Sequence, residues 1–321
     1  MDWFGAGGNG PLIAVRAIHF AATAVTAGNL VFRTLVVKPV SHFDPAAAKS
    51  LGTQTLRLAC IGLVITLLSG AIWLVLQAVS MSGLPLDEAM TPGVLSTVLS
   101  QTQFGMVTEI RFTLAIVLAA CLACHRSALA DALALAAALG LAAAIAWSGH
   151  AGSTLGERGN LHLAADAMHL VAASIWIGGL VPLVLLLAAS RHRPEVGSAA
   201  LAREATRRFS TLGIVSVATL SATGVVNAWI LVGSFHAFVV TGYGRLLIFK
   251  LVAFAIMLVF AALNRFRLTP RLAASTGNEA RLDALHKLTR NSTIEIALGF
   301  VIFAMVGMLG TLHPAIHLVV R

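Results

Sequence analysis

Eight apolar stretches recur along this chain, and each is long enough to cross the roughly 30 Å of hydrocarbon in a bilayer as a helix. They lie at residues 12–37, 56–80, 105–125, 129–148, 161–189, 209–232, 244–266 and 291–312. Hydrophobic residues make up 58% of the chain, charged residues only 11%, and the mean hydropathy is +0.89, which excludes an ordinary soluble domain. The sequence therefore predicts an all-α fold, a polytopic membrane helical bundle of about eight transmembrane helices, in a single membrane domain over residues 1–321.

Lysine and arginine concentrate in alternate loops, which predicts how the bundle is oriented. The first, third, fifth and seventh loops carry them, for example Lys49, Arg126, Arg207 and Arg281. Basic loops stay in the cytoplasm, so both termini are predicted to lie outside. The formal net charge of +9 then belongs mostly to loops at the membrane surface, and we do not expect nucleic-acid binding.

The fifth apolar stretch carries the residues that most strongly indicate a function. Since successive helical residues are rotated by 100°, His162, Asp166 and His169 fall within about 40° to 60° of one another and form one stripe. His150 lies just before this helix. Ionisable groups inside a membrane are costly and usually serve an ion or redox centre. We therefore predict a metal site at His150, His162, Asp166 and His169.

The rise of the helix limits how this stripe can work. His162 and His169 are separated by roughly 10 Å along the axis, too far to bind one ion together. The stripe thus provides either successive ion-binding positions along the helix or parts of binding sites that residues on other helices complete. The residues expected to contribute from elsewhere are His19, Glu109, Met308 and His313. The alternative is that these groups only form hydrogen bonds between helices.

Two further polar sets lie toward the predicted inner side. Cysteine and imidazole are ligands that suit Cu(I), so Cys121, Cys124 and His125, with Cys60, are predicted to form a cytoplasmic exit site, although small buried cysteines are also ordinary packing residues. No disulfide framework is expected. Glu295 lies about one turn inside the last apolar stretch, and we expect an ion pair with Arg265 or Arg267, or else a cation or proton station.

Several motifs in the second half of the chain resemble the copper resistance protein D family, CopD. The resemblance covers about residues 147–313, whereas the N-terminal helices at 12–125 are less typical and match in length and hydrophobicity. The motifs are Ser148-Gly149-His150-Ala151, the helix from His169 through Ser174 and Trp176 to Gly178-Gly179-Leu180, Arg208-Phe209-Ser210, Thr223-Gly224-Val225-Val226-Asn227-Ala228-Trp229, Tyr243-Gly244-Arg245 through Lys250, and Ala262-Leu263-Asn264-Arg265.

This resemblance implies a multi-pass protein of the bacterial inner membrane that handles copper and imports it, with both termini periplasmic by the charge pattern. It also implies a separate periplasmic copper-binding partner of the CopC type, besides the copper ion and the membrane lipid. Copper transport and copper homeostasis, rather than enzyme catalysis, is thus the predicted function. No nucleotide-binding G-x-x-x-x-G-K-[ST] motif occurs, so ATP-driven pumping by this chain is not expected.

Two other functions stay open from the sequence. Histidines from different helices can ligate haem b in a membrane oxidoreductase, and the helix with Trp176-Ile-Gly-Gly resembles, more weakly, the membrane protoporphyrinogen oxidases of the HemJ type. In that case His19 and His169 become the axial-ligand candidates. The third function is a membrane scaffold that docks a periplasmic copper chaperone without moving copper itself.

Overall fold

A computed structural model describes residues 10–124, 127–154, 156–191, 196–275 and 277–319 of the chain. Its described residues form helices and no strands, and eight helices are long and apolar enough to cross a membrane. They are α1 Gly10–Val40, α2 Pro45–Ser82, α3 Gln103–Ala123, α4 Ala128–Ser148, α5 Gly156–Arg191, α6 Gly197–Val232, α7 Gly242–Ala274 and α8 Asn278–Leu309. The predicted all-α bundle with eight spans is confirmed.

Three of these helices extend well beyond the apolar stretches at one end of the bundle. Helices α2, α6 and α8 begin 11 to 13 residues earlier than hydropathy alone indicates. Asp44 ends the preceding turn and fixes the start of α2, because its side chain accepts a hydrogen bond from the backbone N–H of Ala47 at 2.9 Å. Arg207 and Arg281 therefore lie on helical extensions rather than in loops. We call this end the basic face, and the opposite end, where α1 begins and α8 ends, the terminal face.

The first four helices and the last four repeat one arrangement. Helix α1 packs on α2 and on α4, as α5 packs on α6 and on α8, and α3 packs on α4 as α7 packs on α8. The halves also exchange equivalent contacts, since α1 packs against α8 and α5 packs against α4. Each half contains an even number of spans, so both halves have the same orientation in the membrane. The fold is thus a parallel internal repeat.

Sequence positions correspond across the halves at constant shifts. Between α1 and α5 the shift is 150 residues, which pairs Arg16 with Asp166 and His19 with His169. Between α2 and α6 it is 154 residues, and between α3 and α7 it is 139 residues. One apolar core cluster draws buried residues from both halves, so the two halves pack as one bundle.

The helix starts of α3 and α7 show the repeat at atomic detail. Thr102 caps α3 by accepting a hydrogen bond from the backbone N–H of Gly105 at 3.0 Å, and its hydroxyl donates to the Val98 carbonyl at 2.7 Å. Thr241 caps α7 in the same way, accepting from Gly244 at 2.9 Å and donating to a carbonyl 2.7 Å away. All these positions differ by the same 139 residues.

The two halves meet at a close crossing of α1 and α5 that only glycine permits. A Cβ on Gly28 would lie 2.7 Å from the carbonyl carbon of Gly178 and would overlap the carbonyl oxygen of Ser174. A Cβ on Gly178 would lie 2.7 Å from the carbonyl carbon of Ala24 and would overlap its oxygen. The 150-residue shift pairs Gly28 with Gly178 and Ala24 with Ser174, so the contact is reciprocal, as an approximate twofold axis requires.

Candidate functional site

Asp166 and His169 face α6 near the terminal face. Asn227 donates a hydrogen bond from Nδ2 to the Asp166 carboxylate at 3.0 Å, and His169 Nδ1 lies 2.9 Å from the hydroxyl of Thr223. Lys250 of α7 acts electrostatically on both Asp166 and His169. The three helices α5, α6 and α7 therefore enclose one polar cluster that contains an acid, an imidazole and an amine.

His162 makes its polar contact outside this cluster, nearer the start of α5. Its Nδ1 lies 2.9 Å from the hydroxyl of Thr154, and the side chain is buried. His150 acts on it electrostatically, and His150 Nε2 in turn lies 3.2 Å from the carbonyl oxygen of Leu309. The stripe and His150 thus form two pairs, an upper pair, His150 and His162, nearer the terminal face, and a lower pair, Asp166 and His169.

The hydroxyl groups fix the tautomers of the two stripe imidazoles. Thr223 donates its only hydroxyl hydrogen to the Thr219 carbonyl at 2.6 Å, so it must accept from His169, whose Nδ1 then carries the proton. Thr154 donates to the His150 carbonyl at 3.1 Å and accepts from His162 in the same way. A neutral imidazole protonated at Nδ1 presents its lone pair at Nε2.

Burial also affects His150, which lies between the ends of α4 and α5 and outside the spans. Desolvation lowers the pKa of His150 from its ordinary value near 6.5, and the positive charge of Arg16 lowers it further, while the Leu309 carbonyl opposes both. His150 is therefore neutral near pH 7, which is the form that binds metal.

The additional contributors that the sequence predicted lie in different surroundings. His313 is exposed and acts electrostatically on His150. Met308 packs among apolar side chains at the end of α8, and Glu109 is exposed on α3. Within the described ranges, no three His, Cys, Asp or Glu side chains form a group that would hold a metal ion.

His19 occupies the position in the first half that corresponds to His169, but both of its ring nitrogens are engaged. Ser69 donates its hydroxyl to the Ile65 carbonyl at 2.6 Å and accepts from His19 Nδ1 at 3.0 Å. The guanidinium of Arg111 hydrogen-bonds Nε2. The lone pair that would ligate copper or haem iron at His19 is therefore directed at a guanidinium.

The predicted inner exit site lies in the first half, on α2 and α3. Cys60 and Cys124 are exposed, and Cys121 is half-buried. His125 lies outside the described residues. The cysteine exit stays a prediction.

A cavity of about 440 Å³ lies toward the basic face of the second half. Asn264 donates from Nδ2 to the buried Glu295 carboxylate at 2.7 Å, and the indole of Trp176 hydrogen-bonds the same carboxylate. Arg265 instead donates to the hydroxyl of Ser210 at 2.9 Å. Among described residues, Glu295 forms no ion pair within 4.0 Å. The expected ion pair with Arg265 or Arg267 is thus replaced by neutral donors.

Two wide helical turns direct these side chains into the cavity. Residues Ser174–Gly178 of α5 and Asn264–Leu268 of α7 are π-helical, a local widening that is frequent at functional sites. The sequence singled out Trp176, Ser210 and Asn264 as motif residues but not as neighbours. The sequence feature that could have indicated the cavity is Glu295, a carboxylate within an apolar stretch, together with these motifs on three other stretches.

Comparison with known proteins places the chain in a family. A family model described as copper resistance protein D matches residues 203–309, and a model of the N-terminal domain of copper resistance protein D-like proteins matches residues 8–160. Copper resistance protein D of Pseudomonas syringae pv. tomato is 31% identical over 261 residues, which cover 80% of this chain and 82% of that protein. The chain belongs to the copper resistance protein D family.

Two other relatives of this CopD-family member extend the comparison. Inner membrane protein YebZ of Escherichia coli K12 is 29% identical over 304 residues, 94% of this chain and 98% of that protein. Copper transport protein CutJ of Bacillus subtilis 168 is 30% identical over 277 residues, 84% of this chain and 49% of that protein. No solved structure matches the chain. The relatives and the eight spans support a multi-pass inner-membrane protein of a copper resistance and transport family.

Proposed function

We propose that this CopD-family protein imports copper across the inner membrane, receiving it from the periplasm at the terminal face. The observation that carries the proposal is a pair of imidazoles, the buried His162 and the half-buried His169, each held at Nδ1 by a hydroxyl group so that the lone pair lies on Nε2. Metal-binding histidines typically have the other ring nitrogen held by a hydrogen-bond partner, as both have here. Imidazole accepts copper in either oxidation state.

Lys250 gives the lower pair a way to release its ion. The half-buried Asp166 interacts electrostatically with this ammonium group, so the site already balances one negative charge with one positive charge. A copper ion at Asp166 and His169 takes over the role of the ammonium as counter-charge. Lys250 then disfavours prolonged binding by like-charge repulsion, which suits a transport station better than a storage site.

The inner part of the proposed route follows α5 toward the basic face. Trp176 lies seven residues beyond His169 on that helix, roughly 10 Å further into the bundle, and it borders the cavity that contains Glu295. A cation that passes Trp176 would meet a buried carboxylate held only by neutral donors. The cysteine exit on α2 and α3 is the alternative inner route.

Delivery of copper is proposed to come from a separate periplasmic copper-binding protein of the CopC type. The support is the resemblance to the family together with two exposed imidazoles at the terminal face, His236 and His313. Such a carrier would supply the ligands that the upper pair lacks.

Copper uptake into proteoliposomes that contain only this protein tests the proposal. The His169→Ala and Asp166→Asn variants should lower uptake at least tenfold while leaving insertion and purification yield unchanged. His286→Ala, an exposed imidazole on the basic face, is the matched control. Wild-type uptake in the His169→Ala variant would refute the site, and copper binding without uptake by the wild type would favour the docking scaffold.

The orientation is tested by labelling with a membrane-impermeant thiol reagent after Cys60, Cys121 and Cys124 are replaced by Ser. A cysteine introduced at His236 should react from the periplasmic side of intact cells, and one introduced at Ser275 should react only after the membrane is opened. The opposite pattern would invert the proposed direction of access.

An absorption spectrum distinguishes the haem alternative from copper transport. The engagement of His19 Nε2 by Arg111 argues against an axial bond from His19, so we expect no Soret band in the purified protein. A Soret band lost in the His169→Ala variant would support the oxidoreductase instead.

A further inference from the structure

Two guanidinium groups are buried around one tryptophan in the first half of the bundle. Arg16 and Arg111 are 6% and 5% exposed. Their Cζ atoms lie 5.0 and 4.7 Å from the centre of the Trp73 ring. Cation–π contacts of this kind attract each cation to the ring, but they do not cancel the charge. The pair therefore places two positive charges close together inside the membrane.

No carboxylate among the described residues forms an ion pair with either guanidinium, since the four ion pairs of the described chain all involve other residues. The charge that acts on Arg111 is that of Arg16, and Arg16 also acts on His19. Buried like charges without a counter-charge are strongly unfavourable in a medium of low dielectric constant. Arg111 also cannot lose its proton under physiological conditions.

The repeat shows what the first half lacks. Arg16 corresponds to Asp166 and Arg111 corresponds to Lys250. The second half therefore balances one acid against one amine around its histidine, whereas the first half has two cations around His19. The same backbone arrangement thus holds a cluster with no net charge in one half and a cluster with two positive charges in the other.

A small cavity lies beside this cluster and is lined by unsatisfied donors. Its volume is about 10 Å³, which is near the lower limit of the space that one water molecule needs, so an ion bound here must be monatomic and must draw the lining side chains slightly apart. His19, Thr66, Thr108 and Arg111 line it. The Nε of Arg111 and the hydroxyl of Thr66 are buried and have no hydrogen-bond partner among the described residues. Thr66 is only 4% exposed.

We propose that this cavity binds a single halide ion, chloride under physiological conditions. Arg111 and Thr66 donate to the ion, and the ion supplies the counter-charge that Asp166 supplies in the other half. The volume excludes sulfate and phosphate, which need space for five heavy atoms. The site is separate from the copper stripe and does not depend on copper being the transported ion.

Thermal unfolding of the detergent-solubilised protein tests this site at constant ionic strength and pH. Replacing gluconate by chloride or bromide should raise the unfolding temperature in a saturable way, and sulfate should not. Thr66→Val should abolish most of the halide-dependent rise with little change of shape. Thr23→Val is the matched control, because Thr23 is equally buried with an unpartnered hydroxyl but does not line the cavity.

Arg111→Gln should also abolish the halide-dependent rise in unfolding temperature. If this variant does not fold, the Thr66→Val variant alone decides the test. Crystals grown in bromide should show anomalous scattering next to Arg111. A halide-independent unfolding temperature, an equal halide effect in Thr66→Val, or a bromide-free cavity in such crystals would overturn the proposal.

Discussion

The crossing of α1 and α5 at Gly28 and Gly178 predicts an unusual pattern of mutational free energies. A Cβ at either glycine would lie 2.7 Å from a backbone carbonyl carbon of the other helix. An ordinary carbon–carbon contact is about 3.5 to 4.0 Å, so the two helices must separate by about 1 Å to accept alanine. Backbone atoms cannot change rotamer, and each single Gly→Ala substitution should cost about 1 to 3 kcal/mol of unfolding free energy.

The double variant should cost much less than the sum of the single variants. Both alanines require the same separation of the same helices, so the second finds the space already open, and neighbours that share one displacement are not additive. The measurement is reversible unfolding in mixed micelles with increasing SDS. Gly52→Ala on α2 is the control, because a Cβ there meets no atom within 4 Å, and it should stabilise the helix by about 0.5 to 1 kcal/mol. The reciprocal crossing would be refuted if the single variants left the unfolding free energy unchanged, or if the loss in the double variant equalled the sum of the two single losses.

Three further predictions follow from the second half and the terminal face. Lys250→Met should destabilise the protein by about 3 to 5 kcal/mol because it leaves Asp166 uncompensated, and adding Asp166→Asn should recover most of that loss in the same unfolding assay. Glu295→Gln should keep copper bound at the terminal face but lower uptake into proteoliposomes at least tenfold, and unchanged uptake would remove Glu295 from the route. Burial lowers the pKa of His150 below 6.5, so below that pH the unfolded chain binds a proton that the folded protein excludes, and stability should fall as the pH drops. The His150→Gln variant should show a smaller fall in unfolding temperature. An unchanged pH profile in this variant would contradict a neutral, buried His150.

Helix number was predictable because the apolar stretches are long and polar residues separate them, although only Arg126, Ser127 and Ala128 lie between the third and the fourth. The lengths of α2, α6 and α8 were not, since the arginine-rich extensions such as the one around Arg207 are too polar to register as spans yet form helices readily. Hydropathy measures which residues enter the hydrocarbon, whereas helix length depends also on local propensity and capping. The basic face is therefore helical where the sequence indicated loops.

The side-chain stripe was predictable as a stripe but not as two pairs. Helical periodicity places His162, Asp166 and His169 near one face of α5, and the structure shows that all three lie on this helix. The direction in which each side chain hydrogen-bonds depends on Thr154 before the helix and on Thr223 of α6, and these positions are fixed only by packing. Periodicity within one helix carries no information about which neighbour lies against it.

The internal repeat had a detectable signal in the sequence. Arg16 and Asp166 each precede a histidine by three residues, and each of these histidines is followed nine residues later by a glycine, Gly28 or Gly178. The signal is weak because this position is positively charged in the first half, as Arg16, and negatively charged in the second, as Asp166. A comparison by residue similarity therefore scores it as a mismatch. The matching contacts of the two histidines with Ser69 and Thr223, like the matching helix caps at Thr102 and Thr241, make the correspondence clear.

The two halves differ most where a transport route would need them to differ. Trp176 corresponds to Thr26 of α1, but Thr26 donates its hydroxyl to its own helix, at the Ala22 carbonyl 2.8 Å away, in a regular α-helical segment. In α5 the π-helical turn instead directs Trp176 at Glu295 and borders the cavity of about 440 Å³. The cavity next to Arg111 in the first half is much smaller, about 10 Å³. We therefore place the proposed cation route through the second half, since the two buried arginines of the first half disfavour a cation beside them.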